Sequence, residues 1–420
     1  MKPSARVQAV IDILEGLNNT PQPVDRYLRD WAKAHRYAGS KDRAAISERI
    51  FAILRHRASF AWRMRSESPR SLAIASLLKE GFDEPALENI FSGEGYGAAN
   101  LTEEERTYIL LPPENPPRHV QGEFPQFLDS ELSEIFGANL LPEMSALTER
   151  APVDLRVNTL KTLPADVLAQ LRADGYDASP TPYSPLGIRI PAGAGSAALS
   201  KSPALENGLF DFQDEAAQIA SLLCAARPGL RVLDLAAGAG GKSLALAAEM
   251  NNIGEIAACD IRRDALDQLA TRATRAGATI IHPQLAEDLG QNSFDLVLVD
   301  APCSGSGTWR RQPELKWRLT PARIAEFIEI QDQLLAQAAK LVRPGGRLVY
   351  ATCSLLQTEN EHRIAALLSR EPDLKPLCAA AIWREATATN PPPGMGEFFR
   401  ASPYLTGTDG FFAAILMRAG

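Results

Sequence analysis

Two cysteines are set where nucleophilic chemistry would need them. Cys303 stands in Asp300-Ala-Pro-Cys-Ser-Gly and Cys353 in Tyr350-Ala-Thr-Cys-Ser. Each follows an apolar run, 294–299 and 347–351, that reads as a parallel strand, so each thiol falls just past a strand's carboxyl end. Ligand and reaction sites of open α/β sheets collect along that edge. With a glycine-rich turn at 238–241, the pair points to a thiolate nucleophile acting on a substrate beside a bound cofactor. A solitary cysteine is more often a small buried hydrophobe, and Cys224, Cys259 and Cys378 take that reading.

The elements that must carry these residues follow from periodicity. From Leu230 onward, apolar strands at 231–235, 255–259, 279–281, 294–299 and 347–351 alternate with helical segments, the signature of a mostly parallel sheet. A long amphipathic helix spans 321–342 and a last strand spans 411–417. Upstream, a small α+β segment has strands near Leu155 and Gly187, a helix over 165–174, and an amphipathic helix over 213–226. The first ninety residues are helical. Val7, Val10, Ile11, Leu14 and Leu17 share one face, a second helix covers 24–36, and a third starts at a capping-type signal near Ser40. The stretch Leu111-Pro-Pro-Glu-Asn-Pro-Pro has the chemistry of a linker. The expected organisation is 1–92 all-α, 93–125 linker, 126–205 small α+β subdomain and 206–420 catalytic α/β domain.

The turn after the first strand of the α/β region reads Asp234-Leu-Ala-Ala-Gly-Ala-Gly-Gly-Lys-Ser. Its glycines permit a sharp turn, and the following helix offers unpaired N–H groups to a ligand. Ala236 through Ser243 fit a loose phosphate-loop pattern, so a nucleotide triphosphatase has to be weighed. The glycine spacing is poor for a dinucleotide fingerprint. S-adenosylmethionine is the third reading, and the acids favour it. Asp260 directly follows the second strand, where a carboxylate can accept both ribose hydroxyls. Asp234 can meet an ammonium group. Asp300 is followed by Ala-Pro-Cys rather than by the acidic pair of a triphosphatase. On this reading Ala236, Ala237, Gly238, Ala239, Gly240, Gly241 and Lys242 form the cofactor turn, with Asp260, Asp300 and either Asp288 or Glu287 as its acids.

Totals set the outer bounds. At 420 residues the chain exceeds one typical core, and 45% hydrophobic with 23% charged residues describes a globular protein. No apolar run reaches the ~18–20 residues of a membrane span, and the amino terminus lacks a continuous signal-peptide core. Five cysteines with no CxxC pair suit a reducing cytoplasm and argue against a zinc site. The net charge of −7 hides a gradient: residues 1–70 hold fourteen Lys/Arg against seven Asp/Glu, while 71–150 hold four against fifteen. The basic amino-terminal part suits a polyanion, although a solvated helix face would read the same way.

Asp300-Ala-Pro-Cys-Ser-Gly-Ser-Gly and Ala351-Thr-Cys-Ser resemble two motifs of the RNA cytosine-5 methyltransferases. Gln213-Asp-Glu-Ala-Ala-Gln, Arg156-Val-Asn-Thr-Leu-Lys and Asp409-Gly-Phe-Phe-Ala-Ala are similar to further motifs of that family. Gly39-Ser-Lys-Asp-Arg with Arg49-Ile-Phe-Ala-Ile-Leu-Arg resembles the RNA-binding NusB fold, a fusion typical of the Fmu/Sun group acting on bacterial 16S ribosomal RNA. The resemblance implies a Rossmann-like S-adenosylmethionine-dependent α/β fold, preceded by a small α+β RNA-binding segment and an all-α NusB-like domain. It implies Cys353 as nucleophile, Cys303 as the group that assists release, Asp300 as the partner of the base and Lys242 as electrostatic support. It also implies Arg156 and Asn158 on an RNA face. Gly238-Ala239 depart from the family's usual Ala-Pro, which loosens the turn but keeps its backbone donors.

Trp309, Arg310, Arg311 and Lys316 interleave cations with aromatic rings, a composition suited to phosphate contacts and base stacking, though ordinary loop packing would also use tryptophans. The expected protein is a cytoplasmic, metal-free monomer whose partner is RNA. A transfer-RNA methyltransferase, or a non-catalytic RNA-binding assembly factor, are the competing readings.

Overall fold

The computed structural model describes residues 1–111, 115–193, 196–284, 289–291 and 293–420, with the side chains of 196 and 197 left aside. The chain forms two compact units, Met1–Thr148 with Trp309–Arg318, and Glu149–Thr308 with Leu319–Gly420.

The first unit is all-α among its described residues. The helix Pro3–Asn18 buries the expected stripe of Val7, Val10, Ile11, Leu14 and Leu17. That stripe joins Ile46, Ile50 and Ile53 of Ser40–Arg55 and Ala73, Ile74 and Leu77 of Pro69–Lys79 in one core. Ser40 is the first helical residue rather than a side-chain cap. The charge of that first turn is met by Asp42, which binds the terminal amine at 2.9 Å. In the stretch read as a linker, Glu103–Leu110 is helical because Thr102 and Glu105 make a reciprocal capping box. Asp129–Phe136 and Leu140–Ala146 extend the helical unit to residue 148. The helix Pro313–Arg318 also belongs to it, its Trp317 indole donating to the Leu54 carbonyl at 2.6 Å.

The second unit holds two sheets. The smaller is antiparallel, in the order β2 (Ser179–Pro180), β3 (Gly187–Ile190), β1 (Val153–Val157) and β4 (Phe210–Phe212). The larger follows the order β10 (Leu374–Leu377), β12 (Phe411–Arg418), β9 (Val342–Thr352), β8 (Phe294–Asp300), β5 (Arg231–Asp234), β6 (Glu255–Ala258) and β7 (Ile281–Pro283), with β11 (Phe399–Ala401) paired to β12. The five strands from β7 to β9 are parallel, β12 runs antiparallel to them, and β10, antiparallel to β12, points the same way as the five. β5 and β8 bury nearly all their residues on both faces, which is why they read as unbroken apolar runs. The chain winds from β5 outward to β7, then returns to β8 and winds the other way. Adjacent β5 and β8 therefore flank the switch point, where such sheets open a crevice for ligand. The strand expected at 279–281 lies two residues later, because the left-handed cap at Gly277 precedes an approach that buries Ala278 and Ile280, and Ile281 opens the pairing with β6.

A bidentate pair fastens the small sheet to the helix Glu215–Leu222. Arg189 of β3 donates to both oxygens of Asp154 of β1 at 2.7 Å, and the Glu215 backbone N–H donates to the same carboxylate at 3.1 Å. Asp154 has a fully buried side chain. Removing one member of a buried pair strands the other, so Arg189→Met is expected to cost about 3–5 kcal/mol. Urea unfolding at pH 7 measures it, and a change below about 1 kcal/mol would contradict this reading.

Candidate functional site

The site lies along the carboxyl edge of β5, β6, β8 and β9. Asp234 ends β5, the turn of Ala236, Ala237, Gly238, Ala239 and Gly240 follows, and the helix Gly241–Glu249 begins. Gly238 and Gly240 both have positive φ, +53° and +81°. A Cβ at Gly240 would stand 2.6 Å from Leu269, so this glycine serves both conformation and close approach. The Gly238 N–H donates to Asp260 at 2.8 Å. Asp260, just beyond β6, also accepts from the Arg262 backbone at 2.8 Å and from its guanidinium at 3.1 and 3.2 Å. Burial pushes its carboxyl up, but the Arg262 side chain and the two backbone N–H groups outweigh that and hold it below the ordinary value.

Two buried groups face the opposite problem. Asp234 accepts from Ser243 Oγ at 2.6 Å through one oxygen, while the other, also buried, has no protein partner. Burial pushes its carboxyl up to about 7. Lys242 donates to Asp300 at 2.6 Å and lies 5.0 Å from the centre of the Phe411 ring. Burial alone would depress this ammonium, yet Asp300 overcompensates and leaves it raised. A phosphate-loop lysine would have to be free for phosphate oxygens; this one is already spent on a carboxylate.

The thiols meet beside that ion pair. Cys303 Sγ and Cys353 Sγ are 3.5 Å apart and both are partly exposed. The hydrogen bond with Cys353, then burial, pushes the Cys303 thiol well above its ordinary value. Ionisation of Cys303 is thus disfavoured while Cys353 lies beside it. The parallel register sets Asp300 opposite Ala351, so the two loops leave the sheet side by side. The Gly307 N–H then donates to the Cys353 carbonyl at 2.9 Å, and Gly410 donates to the Gly307 carbonyl at 2.8 Å.

The edge thus brings together Asp234, the glycine turn, Lys242, Asp260, Asp300, Cys303 and Cys353. Asp288 and its alternative Glu287 lie outside the described residues. The expected RNA-facing residues are placed otherwise. Arg156, Asn158, Trp309, Arg310 and Lys316 are each less than a tenth exposed. Arg156 donates to Gln213 Oε1 and to the Gly241 carbonyl, and Asn158 donates to the carbonyls of Gly208 and Ala276. Lys316 lies against the rings of Trp309 and Trp317, and burial pulls its ammonium down to about 8. These five are buried within the protein rather than displayed on its surface. Arg311 alone of the group is partly exposed. Sequence reasoning passed over Arg262, Ser243 and the buried Glu359. Arg262 follows Asp260 by two residues and Ser243 lies one turn into the helix after Asp234, a local signal that was available.

Among the described residues no helix is long and apolar enough to cross a membrane, and no cluster of three His, Cys, Asp or Glu side chains could hold a metal ion.

The Asp234 carboxyl gives a stability test. Its folded value lies near 7 against a reference of 3.8, so between these values the folded chain holds the extra proton. Stability contributed by this group is therefore present at low pH and lost as pH rises toward about 7. Asp234→Asn, neutral and of the same shape, is expected to flatten the fall in unfolding free energy between about pH 4 and 7; an unchanged slope would contradict the assignment.

Comparison with known proteins agrees with the geometry. Residues 221–417 match the family model of the 16S rRNA methyltransferases RsmB/F, and residues 124–195 match the ferredoxin-like domain of RsmF/B-like methyltransferases. The probable ribosomal RNA small subunit methyltransferase B of Synechocystis is 32% identical over 75% of this chain and 71% of its own. The Bacillus subtilis counterpart is 30% identical over 73% and 69%. The crystal structure of PH0851 superposes with a TM-score of 0.76 at 25% identity, covering 99% of both chains. A methyltransferase homolog from Pyrococcus horikoshii gives 0.60 at 25% identity over 71% of this chain and 97% of that one. A Rossmann-like sheet with this strand order, two thiols at its carboxyl edge and relatives of this kind place the chain in the RsmB/F family of ribosomal RNA methyltransferases.

Proposed function

We propose that the chain methylates carbon 5 of a cytosine in 16S ribosomal RNA, with S-adenosylmethionine as donor and Cys353 as a transient covalent nucleophile. The observation that carries this reading is the 3.5 Å separation of the Cys303 and Cys353 sulfurs beside the Lys242–Asp300 ion pair.

The cofactor fits the residues present. The unpaired buried oxygen of Asp234 suits an ammonium, Asp260 at the end of β6 suits ribose hydroxyls, and the helix amino terminus after Gly240 supplies N–H donors. When bound, S-adenosylmethionine supplies an electrophilic methyl group. The protein's part is to make carbon 5 of the pyrimidine nucleophilic. The target base has to be unstacked to enter the crevice. The Cys353 thiolate adds to carbon 6, and the electron pair displaced from the ring double bond becomes available at carbon 5. Asp300, held by Lys242, accepts from the exocyclic amine and, through a proton shared with N3, stabilises the charge that develops in the ring. After transfer, the carbon 5 proton leaves, the ring double bond re-forms and the carbon–sulfur bond breaks. Cys303 stands where it can pass its proton to the departing Cys353 sulfur and take the carbon 5 proton in exchange. RNA contacts fall to the partly exposed Arg311 and to the basic first seventy residues, whose sequence resembles the NusB fold.

Labelled donor, unmethylated 16S ribosomal RNA and transfer RNA test the reading together. Label on cytosine carbon 5 of the ribosomal RNA is expected, and its absence from both RNAs would overturn the function. Cys353→Ala is expected to lose transfer by roughly 10⁴-fold or more. Cys303→Ala is expected to accumulate a covalent protein–RNA adduct, seen as a retarded band on a denaturing gel, and normal turnover would remove its assigned role. An ammonium paired with Asp234 requires the ionised carboxylate, so affinity for S-adenosylhomocysteine, measured by calorimetry, is expected to fall as pH drops below about 7.

A further inference from the structure

Behind the two thiols lies a buried carboxylate that the reaction does not use. Glu359, in the short turn Gln357–Glu359 after β9, is fully buried. One of its oxygens accepts from the Ser304 backbone N–H at 2.8 Å and from Gln331 Nε2 at 3.1 Å. The other accepts from Ser304 Oγ and Ser354 Oγ, both at 2.5 Å. The hydroxyls of Ser304 and Ser354 also meet one another at 3.2 Å, and Ser306 Oγ meets Ser354 Oγ at 3.1 Å. Ser304 follows Cys303 directly and Ser354 follows Cys353. A single carboxylate therefore grips the residue after each thiol.

The residues before the thiols are held by Glu359's neighbours. Gln331, bonded to Glu359, donates to the Pro302 carbonyl at 2.9 Å. Asn360 accepts from Thr352 Oγ1 at 2.5 Å and donates to the Ser354 carbonyl at 2.9 Å. Tyr350 closes the arrangement from β9, its hydroxyl donating to the Glu359 carbonyl at 2.6 Å. A carboxylate offers about four acceptor sites and no donor, and here four donors fill them. No ammonium or guanidinium hydrogen-bonds to this carboxylate among the described residues, so hydrogen bonds alone offset the cost of burying it.

We infer that Glu359 is a positioning residue: it fixes the two cysteine loops against each other and so sets the separation of the thiols. This deepens the covalent reading above and rests on it for its effect on turnover, while the claim about thiol separation stands on the hydrogen bonds alone. The carboxylate is suited to the task because it accepts from both loops at once without asking either for a lone pair. Glu359→Gln keeps the shape but turns one oxygen into an NH₂ that faces donors. One pair of contacts is then lost or forced to reverse, and the loop it held is released.

The test uses the full chain and two readouts. In the first, the free enzyme is treated with diamide and formation of the Cys303–Cys353 disulfide is timed by mass spectrometry, the diamide being reduced as the two thiols lose their protons and join. Glu359→Gln is expected to slow this about tenfold while circular dichroism and S-adenosylhomocysteine affinity stay at wild-type values. In the second, single-turnover methylation is expected to fall by about 100-fold, in kcat and not in KM for the donor. Ser354→Ala, which removes one contact only, is expected to give a smaller loss of the same kind and keeps the test open if Glu359→Gln does not fold. Wild-type disulfide and methylation rates in both variants would overturn the inference. A wild-type protein that methylates no RNA, with the disulfide still slowed in Glu359→Gln, would instead overturn the proposed function and leave the positioning role standing.

Discussion

The parallel pairing of β8 with β9 is the constraint on which the site depends. With Asp300 opposite Ala351, both strands end at the same height, and the two Cys-Ser loops leave the sheet in contact. Side chains alternate along a strand, so a slip of one residue would turn the end of β9 to the other face and separate the thiols. The register is protected by burial, since Leu296, Val297, Leu298 and Val299 of β8 and Leu348, Val349 and Tyr350 of β9 are all nearly inaccessible. At roughly 1.5–3 kcal/mol for each large apolar side chain, moving this block out of register costs far more than the loops could recover.

Electrostatics then divides the labour among chemically similar groups. Three aspartates stand at three neighbouring strand ends, and their surroundings make them different. Asp260 is held ionised by Arg262 and two backbone N–H groups. Asp234, buried with one hydroxyl donor, is raised to about 7. Asp300 is paired with Lys242, whose ammonium it raises. The same logic applies to the Cys303 thiol, which its contact with Cys353 and its burial push well above the ordinary value. Identical side chains at equivalent positions thus acquire distinct roles from burial and partners alone.

Much of this was legible in the sequence. The alternation of apolar strands and helices gave β5, β6, β8, β9 and β12, and the glycine turn and both cysteine loops sit where that pattern puts them. β2, β4, β10 and β11 were missed, because Ser179–Pro180, Phe210–Phe212, Leu374–Leu377 and Phe399–Ala401 are too short to show a period of two. The helix Glu103–Leu110 was hidden behind a proline-rich neighbour, although its capping box was readable. The clamp behind the thiols was not readable at all. Glu359 sits six positions beyond Cys353 in a polar turn, and nothing in its spacing says that it would be buried against Ser304, 55 residues away.

Arg156 and Asn158 show what burial adds to a motif-based reading. Their positions in a strand-like Arg-Val-Asn-Thr run suggested an RNA-facing surface, but each points inward and satisfies backbone carbonyls. Arg156 reaches Gly241, Arg272 reaches Ala239, and Asn158 reaches Ala276. The Ala239 carbonyl belongs to the glycine turn itself and the Gly241 carbonyl to the first residue of the helix that follows it. Such groups are expensive to strand in a protein interior, so the arginines are part of what makes the turn possible. Burial pulls the Arg156 guanidinium down to about 10, still far enough above neutrality for it to remain a cation. The small sheet is therefore joined to the start of the cofactor helix through Arg156, and the helix Arg263–Ala276 to the turn through Arg272.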